Sequence, residues 1–182
     1  MGKSTSSKPA IVILTGASGA GKTTLTLKLS ELSIPGVECI NCDRVKVEVP
    51  ETADPSELQT AILLHWISEL STKGSDIELA VLDTQIRPHR AIAVLKQAGI
   101  KQREIVLIDC DSVKRNARLR GARMQPELAT ARMDCWAAYL RGQADALNLP
   151  IIDTSEDSID KSLENLTQLI RKLLKEAKEA PY

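Results

Sequence analysis

Eight residues near the amino terminus, Gly16-Ala17-Ser18-Gly19-Ala20-Gly21-Lys22-Thr23, constrain this chain more than any other stretch. They follow the apolar run Ile11-Val12-Ile13-Leu14 and precede a helix-forming segment, so they make the turn between a buried strand and a helix. The spacing G-x-x-x-x-G-K-T has a specific physical use. Backbone N–H groups of such a loop wrap phosphate oxygens, the lysine reaches the β- and γ-phosphates, and the hydroxyl of the last residue is placed on Mg²⁺. Gly16, Ala17, Ser18, Gly19, Ala20, Gly21, Lys22, Thr23 and the adjoining Thr24 are therefore candidate nucleotide-binding residues, with Thr23 also a candidate metal ligand.

The rest of the chain is compatible with one α/β domain built on that turn, over about residues 9–180. A length of 182 residues with 43% apolar content supports one sizeable core. Basic and acidic side chains number 24 each, so no global field steers the protein to nucleic acid or to an anionic membrane. Only 2% of residues are aromatic and none is Phe, which makes the core aliphatic and leaves few platforms for single-stranded nucleic acid. No stretch reads as a membrane span or signal peptide, and the scattered cysteines suit a reducing cytoplasm. Cys39 and Cys42 form one C-x-x-C, but without a second pair at zinc spacing their expected role is packing.

Strand and helix alternate five times. After a Ser/Lys-rich, frayed Met1 to Lys8, the first strand is Ala10 to Thr15, apolar on both faces as a central parallel strand should be. A helix from Lys22 with Leu25, Leu29 and Leu32 on one stripe ends near Pro35-Gly36, and Val37 to Asn41 is the second strand. Asp54 or Ser56 caps a helix whose stripe is Leu58, Ile62, Trp66 and Leu70, ending at Lys73-Gly74. Ile77 to Leu82 is the third strand, closing on Asp83, and a helix follows to about Ala98-Gly99. Glu104 to Asp109 is the fourth strand, and Asp111-Ser112 starts the next helix. Met124 to Leu128 reads as a short mobile segment, and Ala129 to Leu147 as a helix burying Met133, Trp136, Leu140 and Ala144. Leu149 to Ile152 is the fifth strand, and the last helix buries Ile159, Leu163, Leu166, Ile170 and Leu173 before fraying through Lys175 to Tyr182.

Charged residues gather where these strands end. Cys42-Asp43-Arg44 is delivered to the edge at which a doubly wound sheet collects ligands. An apolar strand ending in Asp83 fits the second Mg²⁺ element of a phosphate-loop protein, because a carboxylate there holds a metal-bound water. Arg87 and Arg90, just beyond it, offer planar donor forks for a phosphate or carboxylate. The densest positive patch runs from Lys114 to Arg123, and it suits a clamp on transferring phosphates better than a nucleic-acid surface, since it is short and lacks interleaved aromatics. His65 and His89 have no partner at ligand or triad spacing and are expected to be structural.

Taken together, these elements resemble the small P-loop kinases of the nucleoside-monophosphate-kinase-like group, which includes adenylate, shikimate and gluconate kinases. The resemblance spans nearly the whole domain, and the Gly16 to Thr23 loop is its most specific match. It implies a five-stranded parallel sheet in the order 2-3-1-4-5, an acceptor-binding segment at about 43–73 and a short arginine-bearing lid at about 119–130. Asp43 stands where such kinases often place a carboxylate that contacts or deprotonates the acceptor hydroxyl, with Arg44 beside it. Asp83-Thr84-Gln85-Ile86-Arg87 resembles the Asp-Gly-Phe-Pro-Arg element of nucleotide kinases, but only the outer Asp and Arg match, which leaves an anionic acceptor without specifying a nucleoside monophosphate. Arg118 resembles the arginine that stacks on adenine and Arg123 a lid arginine on the phosphates. Arg132 and Arg141 are both candidates for the later lid arginine, and Thr154-Ser155 resembles the loop bordering adenine. The pieces Asp-x-Gln-x-Arg-Pro, Gln-Pro-Glu-Leu-Ala and Ile-Asp-Thr-Ser also resemble bacterial P-loop ATPases of uncharacterised role.

The expectation is thus an ATP- and Mg²⁺-dependent kinase acting on a small hydroxyl or phosphate acceptor. Lys22, Asp43, Arg118 and Arg123 are its expected catalytic groups, Thr23 and Asp83 its metal ligands, and Asp43, Arg44, Arg87, Arg90, Arg132 and Arg141 its acceptor-binding set. Nucleic acid and membrane are not expected partners. Two alternatives stay open: a polynucleotide 5′-kinase-like enzyme, suggested by Asn41-Cys42-Asp43-Arg44, and a nucleotide-binding regulatory ATPase without an acceptor.

Overall fold

Strands that are apolar on both faces need helices on both sides, and the chain supplies them. The computed structural model describes residues 8–72 and 76–179. The strands β1 (Ala10–Thr15), β2 (Val37–Asn41), β3 (Leu79–Asp83), β4 (Arg103–Asp109) and β5 (Ile151–Asp153) form one sheet, parallel throughout, in the order β2-β3-β1-β4-β5. Helices α1 (Lys22–Glu31), α2 (Pro55–Thr72), α3 (Pro88–Gln97), α4 (Ser112–Arg120), α5 (Ala131–Ala146) and α6 (Ile159–Glu179) cover it.

The period of two along β1 divides the core. Ile11 and Ile13 point to one layer, shared with Ile62, Leu63 and Ile67 of α2 and Val94 and Leu95 of α3. Val12 and Leu14 point to the other, shared with Leu25 and Leu29 of α1 and Leu166, Ile170 and Leu173 of α6. A smaller cluster joins Leu107 of β4 to Leu140 and Ala144 of α5. Every residue of β1 and β3 is buried. Register places Leu14 beside Asp83 and Thr15 beside Leu107, so the turn leaving β1 emerges between the ends of β3 and β4. Ligands of such sheets bind at this carboxyl edge.

Several local expectations need correction. Leu32 lies at the C-cap of α1 and is 48% exposed, because the helix stops at Glu31, one residue too early to turn it inward. Ile159 is 46% exposed, as the first residue of α6 projecting beyond the sheet. Trp66, Leu58, Met133, Trp136 and Leu163 are only half-buried, whereas Leu63 and Ile67 fill the α2 core face that Leu58 and Trp66 were expected to share. Asp54, not Ser56, caps α2: its carboxylate accepts from Ser56 N (2.7 Å) and Glu57 N (2.9 Å) while Glu57 Oε2 accepts from Asp54 N (2.9 Å), a reciprocal capping box. The segment after Met124 contains a 3-10 turn over Pro126–Leu128. Fraying was expected from Lys175, but α6 continues as regular helix through Glu179; the expected helix end at Lys73-Gly74, and the parts of the expected frayed stretches at 1–7 and 180–182, lie outside the described residues.

Candidate functional site

The loop after β1 is built by close approach. Gly19 and Gly21 adopt φ of 84° and 104°, conformations that L side chains rarely take, and Gly21 is the N-cap of α1. A Cβ on Gly16 would land on the carbonyl oxygen of Ile108 in β4, so only glycine lets the two backbones pass. A Cβ on Gly19 would meet Arg115 Cγ at 2.8 Å, so α4 lies directly against the tip of the loop.

Lys22 is 7% exposed and its Nζ donates to the carbonyls of Gly16 (2.9 Å) and Ala17 (3.2 Å). Burial lowers its pKa, while the negative charges of Asp83 and Asp43 push the other way and Arg123 adds to the lowering. Thr23 Oγ1 donates to Asp83 Oδ2 at 2.7 Å. Asp83 is buried at the end of β3, and burial raises its pKa against the stabilising influence of Lys22 and the Thr23 hydroxyl. Asp43 follows β2 in a 3-10 turn fixed by Asn41, whose Oδ1 accepts from Asp43 N at 3.0 Å. Lys22 and Asp83 thus feel each other's charge and those of Asp43 and Arg123, residues that come from four separate segments. Thr24 and Arg44 are exposed.

The flank of the loop is tied down by side chains. Arg118 on α4 donates through NH1 to Thr154 Oγ1 (2.9 Å) and through NH2 to the Thr154 carbonyl (2.7 Å). The Thr154 hydroxyl donates to the Ala20 carbonyl at 2.8 Å, joining the end of β5 to the loop. Ser155 Oγ accepts from Asp111 N at 2.7 Å, at the start of α4. Arg115, 2% exposed, donates to the Cys110 carbonyl (3.1 Å) and pairs with Asp134 of α5. Arg123 is exposed after α4, with its backbone N–H on the Arg118 carbonyl at 3.0 Å.

The opposite flank carries the remaining arginines. Arg87 and Arg90 are half-buried at the start of α3, and both charges help to lower the pKa of Asp54, whose largest influence is the bond from Glu57 N. Arg87 lies over the rings of Trp136 (5.7 Å) and Tyr139 (5.8 Å). Arg132 is exposed on the first turn of α5, whereas Arg141 is engaged by Asp109 (2.9 Å) and Asp145 (3.3 Å). His89 Nδ1 lies 2.8 Å from Gln143 Nε2, and His65 packs edge-on against Trp66. Cys42 is buried, and burial raises the Cys39 thiol to about 11, so neither is poised as a nucleophile.

Sequence reasoning missed, merged or left open four participants. Arg115 was merged into the basic patch, although its spacing from the Gly19 crossing is visible only in three dimensions. Asp54 was one of two possible caps, yet Asp54-Pro55-Ser56-Glu57 carries the capping-box pattern. Gln59 of α2 accepts from Thr84 Oγ1 at 3.0 Å just beyond Asp83, with no sequence signal. Trp136 was assigned to the core, and its stacking with Tyr139 at helical spacing was not anticipated. Two surface depressions of about 340 Å³ run along α6 and contain none of the loop residues.

This architecture is that of the small P-loop kinases. The fold matches a gluconokinase from Sinorhizobium meliloti 1021 with a TM-score of 0.61 at 13% identity, covering 93% of this chain and 98% of that one. It matches shikimate kinase from Acinetobacter baumannii, solved with shikimate, with a TM-score of 0.56 at 18% identity and coverage of 90% and 94%. The APS kinase of Mycobacterium tuberculosis, solved with AMPPNP and APS, matches at 0.57 and 18% identity, with coverage of 91% and 99%. By sequence, a taurine import ATP-binding protein of Pseudomonas savastanoi pv. phaseolicola is 31% identical over 98 residues, which is 52% of this chain but only 38% of that protein. No protein-family model matches the chain. Among the described residues, no helix is long and apolar enough to cross a membrane.

Proposed function

We propose that this protein is a kinase that moves the γ-phosphoryl group of ATP to a hydroxyl or phosphate of a small acceptor. The observation that carries the proposal is the meeting of Lys22, the Thr23–Asp83 pair and the Asp43 charge beside a loop whose glycines admit close backbone approach. A half-buried hydroxyl and a buried carboxylate 2.7 Å apart are oxygen donors of the kind a hard divalent cation takes, so Thr23 and Asp83 fit Mg²⁺. When bound, the ion would supply positive charge that neutralises the charge developing on the transferring phosphate. Lys22 meets the phosphates, and its low exposure strengthens that electrostatic contact. Asp43 orients or deprotonates the acceptor hydroxyl, while Arg87 and Arg90 bind an anionic group on the acceptor. The segments at about 43–73 and 119–130 serve as acceptor-binding region and lid, with Arg123 closing over the phosphates and Arg132 the freer of the two later arginines. Arg118 holds the Thr154 turn against the loop, on the side assigned to the base of the nucleotide.

The test is ATP consumption against nucleoside monophosphates, nucleosides, sugar acids and polyols. One acceptor class should stimulate turnover, and Lys22→Ala should lower it by on the order of 10²–10³-fold with the fold intact by circular dichroism. Undiminished turnover by Lys22→Ala would refute the assignment. The similarity to an import ATP-binding protein favours a second reading, an ATPase without an acceptor. Its sign would be hydrolysis that no member of the panel accelerates.

A further inference from the structure

Two of the few aromatic residues of the chain stand together. The chain has two Trp, two Tyr and no Phe, and Trp136 and Tyr139 stack on each other at 5.5 Å with their planes 20° apart. Both lie on α5, one helical turn apart, where α5 packs against α3. Tyr139 is 42% exposed and Trp136 half-buried, so the pair is not simply core. Its outer neighbour is the Arg87 guanidinium, within 6 Å of both ring centroids, the range at which a ring face attracts a cation.

Other bonds hold the two helices in that relation. Gln143, one turn further along α5, donates through Nε2 to the Tyr139 hydroxyl at 2.7 Å and lies 2.8 Å from His89 Nδ1, in the first turn of α3. Arg87 is the N-cap residue of α3, where a guanidinium has no acceptor to offer the helix N–H groups, and its side chain lies over the rings instead. Near its start the same α5 carries Asp134, which pairs with Arg115, and the stem of Arg115 lies against Gly19 of the phosphate loop. One helix therefore touches both the backing of the loop and the arginine across the site.

We infer that Trp136 and Tyr139 are positioning residues for Arg87: the ring pair holds the guanidinium ready for a phosphate or carboxylate on the acceptor, a role that rests on the kinase reading above. A long arginine side chain that is free must be ordered when it binds, whereas one already laid on a rigid ledge loses less freedom and binds its anion more tightly. The rings themselves need not touch the acceptor.

The experiment uses the full chain with the phosphate loop saturated by Mg²⁺ and AMPPNP, and titrates orthophosphate as the probe of the anion subsite. Orthophosphate should bind the wild type and be lost in Arg87→Met. Tyr139→Leu, at a partly exposed position that tolerates change, should weaken it about fivefold, and Tyr139→Phe should restore most of that loss because it keeps the ring. AMPPNP affinity should be the same in all three. The Arg87 Nε–H resonance, identified by its absence in Arg87→Lys, should be displaced by the rings in the wild type and move toward the free-arginine position in Tyr139→Leu. Unchanged orthophosphate affinity and an unmoved resonance in Tyr139→Leu would overturn the positioning role while leaving Arg87 as the anion contact. Equal orthophosphate binding by wild type and Arg87→Met would remove the acceptor subsite itself, and the positioning role with it.

Discussion

The two flanks of the site are built in different ways. On the side of α4 and β5, the phosphate loop is enclosed: Gly16 passes against Ile108, Arg115 is buried behind Gly19, and Thr154 and Arg118 close the seam with bonds of 2.7–2.9 Å. On the side of β2 and α3, the polar groups are more exposed: Asp43, Arg44 and Asp54 reach solvent, and residues 45–50 have no regular structure. The contrast teaches that the half of the site around the loop is pre-formed, while the other half, which the proposed function gives to the acceptor, is more open to solvent. It also predicts that substitutions on the first flank cost stability and those on the second cost mainly acceptor recognition.

The largest effect should come from Gly16→Ala. Its Cβ cannot be accommodated without moving β4, so urea unfolding should show a loss of about 3 kcal/mol, together with loss of nucleotide binding. A variant as stable as the wild type would mean that the enclosed flank yields easily. Thr154→Val comes next, because it leaves the Ala20 carbonyl and an Arg118 N–H without their hydroxyl partner; about 2 kcal/mol is expected. Arg90→Met, on the open flank, should change stability by less than about 0.5 kcal/mol. The same variant should raise the acceptor KM about tenfold, the scale of one charge-assisted hydrogen bond. If it unfolded as readily as Thr154→Val, the distinction between the flanks would fail.

A finer probe compares the buried carboxylate of Asp83 with the exposed one of Asp54, whose pKa values move in opposite directions. Burial raises Asp83, so its ionised form costs stability above the folded pKa, and that cost is absent below the unfolded value. Asp83→Asn should therefore stabilise the protein at neutral pH, with a gain that shrinks as pH falls through the folded pKa. Asp54 is lowered, first by the Glu57 N–H, then by Ser56 N–H, Arg90 and Arg87, so its contribution is present above the unfolded pKa and lost as pH falls through the folded one. Asp54→Asn should destabilise at neutral pH and converge with the wild type in acid. Urea midpoints measured across pH would show opposite trends for the two variants, and parallel trends would erase the comparison.

The same division governs what could be read from residue order. Ala10–Thr15 was legible to the residue, because a both-faced apolar run between turn signals leaves few alternatives. Val37–Asn41, a mixed run in which only Ile40 is buried, was legible from the Pro35-Gly36 break before it and the charged residues after it. The strand order follows the resemblance carried by the loop, and the chain adopts it. Helix ends were less legible: Leu32 and Ile159 continue an apolar period past the point at which packing stops. Arg141 illustrates the limit for charged residues, since nothing in its neighbourhood along the chain reveals that Asp109, at the end of a distant strand, engages it.

By itself, then, the sequence determined the phosphate loop, the sheet it departs from and the identity of the carboxylates at the strand ends. These are local properties: hydrophobic period, glycine spacing and the residue that closes a strand. Only the tertiary structure decided that Asp54 lies within the influence of Arg87 and Arg90, that Arg115 backs the loop, and that Trp136 and Tyr139 lie under Arg87. Those contacts join segments far apart in the chain, and their geometry is set by how helices settle on the sheet, for which no short stretch of residues carries the information.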